Sequence, residues 1–111
     1  MAKKDKKGRL VISLGYLNAA GISSSDELWF VTIDKKRVAI LKDSIFDELR
    51  RKELSSRVIK LAKCKLEKNE KFENCITIPS EVEAVLGKGK QYYFSIFDFS
   101  AGFKPFLCIN K

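Results

Sequence analysis

The feature of this sequence that most constrains its fold is a block that occurs twice along the chain. In the first copy, residues 5–21, a basic turn leads into an apolar strand and then into a short helix that ends at a glycine. The second copy, residues 71–87, repeats the pattern, and adding 66 to a first-copy number gives its counterpart, so that Arg9 corresponds to Cys75. A repeat of this kind predicts two similar structural units that pack against each other.

Each block is followed by two runs that read as a β-hairpin. In the first copy these are residues 28–33 and 37–41, and in the second copy 92–97 and 103–109. The run 28–33 is apolar throughout, which indicates a strand covered on both faces. Pro105 lacks a backbone N–H, so it predicts that the last strand lies at the edge of a sheet.

We therefore predict a mostly β protein with short helices, of the α+β class. Residues 1–42 are the first unit with a basic N-terminal arm, 43–67 a helical linker, and 68–111 a second unit with a degraded motif. Asp43 or Ser44 is expected to cap the linker helix, while residues 57–66 fit either a helix or a strand. A unit of about forty residues cannot bury its own apolar strands. We expect the hairpins of the two units to interleave around a pseudo-twofold, barrel-like core.

Charge indicates the class of partner. Lysine and arginine total 22 against 14 acidic residues, which gives a formal net charge of +8 and a pI near 9.5. This excess favours a polyanion, with nucleic acid first and an anionic membrane surface second. A basic surface that binds nothing is the alternative.

The composition also argues against catalysis. The chain has no histidine, which excludes histidine-based acid–base and Cys-His or Ser-His-Asp mechanisms. Cys64, Cys75 and Cys108 are too widely spaced for a zinc site and are expected to be buried, reduced thiols. We predict neither an enzyme nor a bound cofactor or metal. No apolar run has the length of a signal peptide core or a membrane span, so we expect a cytoplasmic protein without a membrane partner.

The basic turn is the candidate binding site. A guanidinium at Arg9 suits bidentate contact with guanine in the major groove of double-stranded DNA, and Asp5 would orient it by a charge-assisted hydrogen bond. The alternative is a surface ion pair that only fixes the turn. Lysines of both copies would neutralise phosphates, and the full set of predicted DNA-binding residues is Lys3, Lys4, Asp5, Lys6, Lys7, Arg9, Lys68 and Lys71.

The order of strand, glycine-terminated helix and hairpin resembles the swapped-hairpin AbrB family of bacterial and archaeal regulators. Two copies in one chain resemble its MraZ branch, whose hallmark is D-x-x-x-R in each copy. Asp5 and Arg9 match that hallmark, Lys71 and Cys75 do not, and Ile78-Pro79 matches the I-P that follows the motif.

This resemblance implies a nucleoid-associated transcription factor that forms dimers or larger rings and sets its basic turns in the major groove. A protein-interaction module, such as a MazE-like antitoxin or a scaffold that uses the aromatic hairpins, is the alternative.

Overall fold

The fold is given by a computed structural model that describes residues 2–35, 37–52, 54–87, 91–98 and 102–111. In chain order the helices and strands are β1 (Leu10–Val11), α1 (Leu14–Ala19), β2 (Leu28–Ile33), β3 (Arg37–Lys42), α2 (Asp43–Arg51), β4 (Val58–Cys64), β5 (Glu67–Lys68), β6 (Asn74–Ile76), α3 (Ser80–Leu86), β7 (Tyr93–Phe97) and β8 (Phe106–Asn110). One turn of 3-10 helix, Ser55–Arg57, precedes β4. The predicted α+β class is confirmed.

The strands form two antiparallel sheets. The larger sheet has the order β4-β2-β3-β8-β7, and the smaller has the order β1-β6-β5. Within the described residues neither sheet closes on itself, because β4 and β7 are the outer strands of the larger one. The prediction of a barrel-like core is wrong in this respect.

The hairpin of β2 and β3 is the centre of the larger sheet. Asp34 and Lys35 adopt positive φ angles of 52° and 60° at its turn, a conformation that suits the twist of the two strands. Both faces of β2 are buried, as predicted: Phe30 packs in one apolar core and Val31 in the other. The strand is therefore buried from both sides and needs a neighbour along each edge.

The second neighbour of β2 comes from the predicted linker. Among the residues of this segment that the structure describes, only 43–51 and one 3-10 turn are helical, and Val58–Cys64 pairs antiparallel with β2 as β4. The prediction of a helical linker over 43–67 is wrong for this part, because pairing with the edge of β2 prevails over helical spacing. Asp43 does not cap α2 either; its carboxylate accepts a hydrogen bond from Lys60 of β4 at 2.9 Å.

Pro105 lies immediately before β8 rather than inside it. The strand begins at Phe106 and pairs with β3 on one side and β7 on the other, so it is an inner strand. The prediction of an edge strand is wrong, since a proline before the first paired residue removes no ladder hydrogen bond.

Two apolar cores lie on opposite faces of the larger sheet. One fills the space between that sheet, the smaller sheet, α1 and α3, and includes Leu10, Ile76 and Leu107. The other lies under α2 and includes Leu49 and Phe106. The first core fixes the smaller sheet in place, and residues 5–9 and 69–73 form the turns that lead into its strands β1 and β6. None of the helices in the described ranges has the length and apolar character needed to cross a membrane.

Candidate nucleic-acid interface

The turn formed by residues 5–9, here called turn A, is held by the carboxylate of Asp5. Its Oδ1 accepts hydrogen bonds from the backbone N–H groups of Lys7 at 2.9 Å and Arg9 at 2.8 Å. Its Oδ2 accepts one from Arg9 Nε at 2.8 Å, which is the hydrogen bond expected from the sequence. Gly8 sits at the tip with a φ of +78°, a conformation that glycine adopts without strain. Backbone hydrogen bonds from Asp5 N–H to Arg9 O at 2.9 Å and from Gly8 N–H to Asp5 O at 3.0 Å also close turn A, so the Asp5 carboxylate and the backbone together fix its geometry.

The ion pair of turn A is largely shielded from solvent. The side chain of Arg9 is 14% exposed and that of Asp5 is 7% exposed. Burial acts to raise the pKa of Asp5, but hydrogen bonds from Arg9 and Lys7 outweigh it, so that this pKa lies below its ordinary value. The hydrogen bond to Asp5 raises the pKa of Arg9. Both groups are therefore charged at neutral pH.

A second turn, residues 69–73, has the same hydrogen-bond pattern and is called turn B. Asn69 Oδ1 accepts from the backbone N–H groups of Lys71 at 3.0 Å and Glu73 at 2.9 Å. Asn69 Nδ2 donates to Glu73 Oε1 at 3.1 Å. Asn69 therefore occupies the place of Asp5, and Glu73 that of Arg9.

This equivalence corrects the offset read from the sequence. Adding 64, not 66, to a number in turn A gives its counterpart in turn B, so Lys7 corresponds to Lys71. Cys75 does not take the place of Arg9; it lies in β6 and pairs with Val11. The offset of 66 holds only for the helices, because α1 begins at Leu14 and α3 at Ser80.

Both turns border one cleft with a volume of about 410 Å³. All eight residues predicted as DNA-binding line it, together with four that the sequence reading missed: Glu67, Asn69, Glu70 and Glu73. The turns also meet across the cleft, where Lys3 Nζ lies 3.6 Å from Glu73 Oε2 and Lys6 Nζ lies 3.9 Å from Glu70 Oε2. The side chains of Lys6 and Glu70 are 86% and 79% exposed, so this contact contributes little and yields easily to a ligand.

The two sides of the cleft differ in charge. The turn A side has five cations, Lys3, Lys4, Lys6, Lys7 and Arg9, against one carboxylate, Asp5. The turn B side has Lys68 and Lys71 against Glu67, Glu70 and Glu73. An anion is therefore attracted mainly to turn A.

The three cysteines are free and buried, as predicted. Burial raises the pKa of Cys64 to about 12 and that of Cys108 to about 11. Burial also raises the pKa of Cys75. These thiols are protonated at neutral pH and are poor nucleophiles or metal ligands. Within the described ranges, no group of three or more cysteine or carboxylate side chains could hold a metal ion.

The chain has no significant match among models of known protein families, curated proteins or solved structures. What the cleft can do chemically follows from its side chains. Lysine ammonium groups bind phosphate oxygens as point charges, and a guanidinium forms directed, paired hydrogen bonds. The turn A side combines both kinds of group next to a rigid backbone.

Proposed function

We propose that the protein is a DNA-binding regulator of transcription that sets turn A in the major groove of duplex DNA. The observation that carries this proposal is the cluster of five cations around a turn whose backbone is fixed by Asp5. A fixed turn holds its cations in one arrangement, so that less conformational entropy is given up when they meet a phosphate backbone.

The residues of turn A have separate roles in this proposal. Lys3, Lys4, Lys6 and Lys7 contact phosphates, which gives affinity but no sequence preference. Arg9 reads a base edge. Its Nε is engaged by Asp5, so the two terminal nitrogens of the guanidinium make the paired contact with guanine.

We also infer that the two blocks are structural repeats whose hairpins interleave around a pseudo-twofold axis. The matching hydrogen bonds of turns A and B support this inference. So do the strand pairs between blocks: β1 pairs with β6 and β3 with β8, each joining a strand to the one in the corresponding place of the other block. Such an arrangement explains why both turns reach the same cleft. In this arrangement turn A carries the arginine that reads a base. Turn B has glutamate in the place of that arginine and contacts the turn A side through the ion pair of Glu73 with Lys3.

The lysines of the two turns should differ in their effect on DNA binding. We expect Lys7→Ala to weaken binding to all duplex sequences about equally and to lower the salt slope of log K by about one unit for each phosphate that is no longer neutralised. Lys71→Ala should do less, because Glu70 and Glu73 flank that lysine. Fluorescence anisotropy with labelled duplexes over a range of salt concentrations measures both effects.

Lys63→Ala is the matched control for the preceding experiment. Lys63 is exposed on β4 and does not line the cleft, so its removal changes net charge by the same amount elsewhere. If this variant bound DNA as weakly as Lys7→Ala, binding would depend on overall charge and not on the cleft.

We further propose that the chains associate into homo-oligomers through the outer strands of the larger sheet. The outer strand β7 carries Tyr93 and Ile96, which are 44% and 39% exposed, and β4 carries Ile59 at 46%. Exposed apolar residues on an outer strand favour pairing with another copy.

We expect light scattering after gel filtration to give a mass above one chain, and we expect Ile96→Lys to shift it towards the monomer. Lys65→Ala, an exposed change between β4 and β5 and outside both outer strands, serves as the control. A clean monomer of the wild type at high concentration would exclude the oligomer.

A further inference from the structure

Phe72 is the most unusual residue near the cleft. The residue is 82% exposed, the largest exposed fraction among the exposed large apolar residues of the described chain. Its backbone has a φ of +59°, a conformation that is strained for a bulky side chain such as phenylalanine and that glycine adopts freely. The chain therefore keeps an aromatic ring in solvent on a strained backbone, and neither feature contributes to folding.

The position of Phe72 shows that this ring is not required by the turn. Phe72 is the tip of turn B, and the equivalent tip of turn A is Gly8, with a φ of +78°. A Cβ added at Gly8 would meet no atom within 4 Å, so both tips face open space. The same backbone is built once with glycine and once with phenylalanine, and only turn B presents a ring.

The surroundings of Phe72 indicate what the ring meets. The preceding residue, Lys71, and Lys68, whose Nζ lies 3.4 Å from the carbonyl oxygen of Phe72, both line the cleft. Phe72 itself does not line the cleft but stands beside it. A polyanion bound in the cleft would therefore extend past the ring of Phe72. The ammonium groups of Lys68 and Lys71 would bind its backbone beside that ring.

We propose that Phe72 is an aromatic wedge that inserts between adjacent base pairs of duplex DNA next to the segment held in the cleft. This inference rests on the proposed DNA-binding function. An apolar side chain that enters a base step unstacks it partly and bends the duplex, and the bent duplex covers more of the protein surface. The flexible steps TA and CA/TG are the easiest to open, so the wedge would favour sites that carry one of them beside the segment contacted by turn A.

The test uses Phe72→Gly in the chain of 111 residues. Glycine adopts the positive φ without strain, so the thermal midpoint of unfolding of this variant should rise. Its affinity for duplex DNA should fall about tenfold, because the contact between the ring and the bases is lost. Higher stability together with weaker binding is the opposite of what damage to the fold produces. Phe72→Asn, which also tolerates a positive φ, should bind as weakly as Phe72→Gly, and Phe72→Trp should retain the wild-type affinity.

A duplex with 2-aminopurine at a TA step reports the insertion directly. Wild-type protein should raise its fluorescence by unstacking the base, and Phe72→Gly should leave it unchanged. Equal affinity and equal fluorescence for the two proteins would overturn the wedge, as would weaker binding of the variant to single-stranded DNA alone. Failure of the proposed function looks different, because the wild type would then show no salt-dependent binding to any duplex.

Discussion

Replacing Leu107 by alanine should lower the free energy of unfolding by about 2–5 kcal/mol, the range for a leucine removed from a packed core. Leu107 is 0% exposed and lies on β8, where its neighbours across the two strand pairs are Ile40 and Ile96. Truncation there leaves a cavity between strands of both blocks, which the flanking strands cannot fill by a small shift. Domains of this size are stabilised by about 5–15 kcal/mol in total, so this change removes a large share.

Urea denaturation followed by two signals measures this effect and tests how the blocks are joined. The only tryptophan of the chain, Trp29, lies on β2 in the first block, whereas Leu107 lies in the second. If β1 with β6 and β3 with β8 bind the blocks into one cooperative unit, tryptophan fluorescence and far-UV circular dichroism should shift together.

Leu14→Ala is the control for the stability experiment. Leu14 is 63% exposed at the start of α1 and lies on neither outer strand of the larger sheet, so its truncation should change stability by no more than about 0.5 kcal/mol. If Leu107→Ala left the urea transition measured by tryptophan fluorescence unchanged, the two blocks would unfold separately. The claim that the strand pairs join them into one cooperative unit would then be wrong.

The hairpins and helices were predictable from the sequence because local chemistry decides them. The apolar run 28–33 and its partner strand differ from prediction by one residue at most. Gly21 and Gly87, predicted to follow the two short helices, do follow them with positive φ angles of 67° and 86°. At these positions the residues inside a helix or strand and the residues that end it predict the same boundaries.

The strand β4 was not predictable in the same way. Its residues fit a helix and a strand about equally, and the choice depends on an unpaired edge of β2, which is distant along the chain. Pro105 differs from its prediction for a similar reason, because its place relative to the first paired residue of β8 decides whether it disturbs the sheet. The structure of β4 and the position of Pro105 both depend on which strands pair in the folded protein, and the local sequence pattern does not contain this information.

The acidic half of the cleft was missed because the copies were aligned on their helices. Matching Gly21 to Gly87 gives an offset of 66, which places Arg9 on Cys75 and hides the equivalence of Arg9 and Glu73. The sequence contained a signal for the offset of 64 that relates the two turns: the aromatic strands that follow the helices are separated by 64, with Asp34 opposite Asp98. Two extra residues between β6 and α3, and a connection after α3 that is two residues shorter than the one after α1, reconcile the two values.

Replacing Arg9 by alanine should lower affinity for a preferred duplex roughly ten- to hundredfold and should flatten sequence preference, because the paired hydrogen bonds to a base edge can no longer form. The preferred duplex is first obtained by selection of bound sequences from random DNA, and competition assays then measure preference. Arg9→Lys keeps the charge but not the planar pair of donors, so its preference should be almost as flat while it retains more of the nonspecific affinity.

A second variant separates base reading from a purely structural role of the ion pair. Asp5→Asn keeps an Oδ1 acceptor for the two backbone N–H groups, as Asn69 does in turn B, but removes the charge that holds the guanidinium. If Arg9 reads a base, Asp5→Asn should reduce preference while nonspecific affinity is kept, and Asp5→Asn combined with Arg9→Ala should be no worse than Arg9→Ala alone. If the ion pair only shapes the turn, Arg9→Ala should weaken binding to all sequences by the same factor. Should a folded Arg9→Ala variant keep both affinity and preference, turn A does not lie in the groove, and a protein-interaction module becomes the better account of this chain.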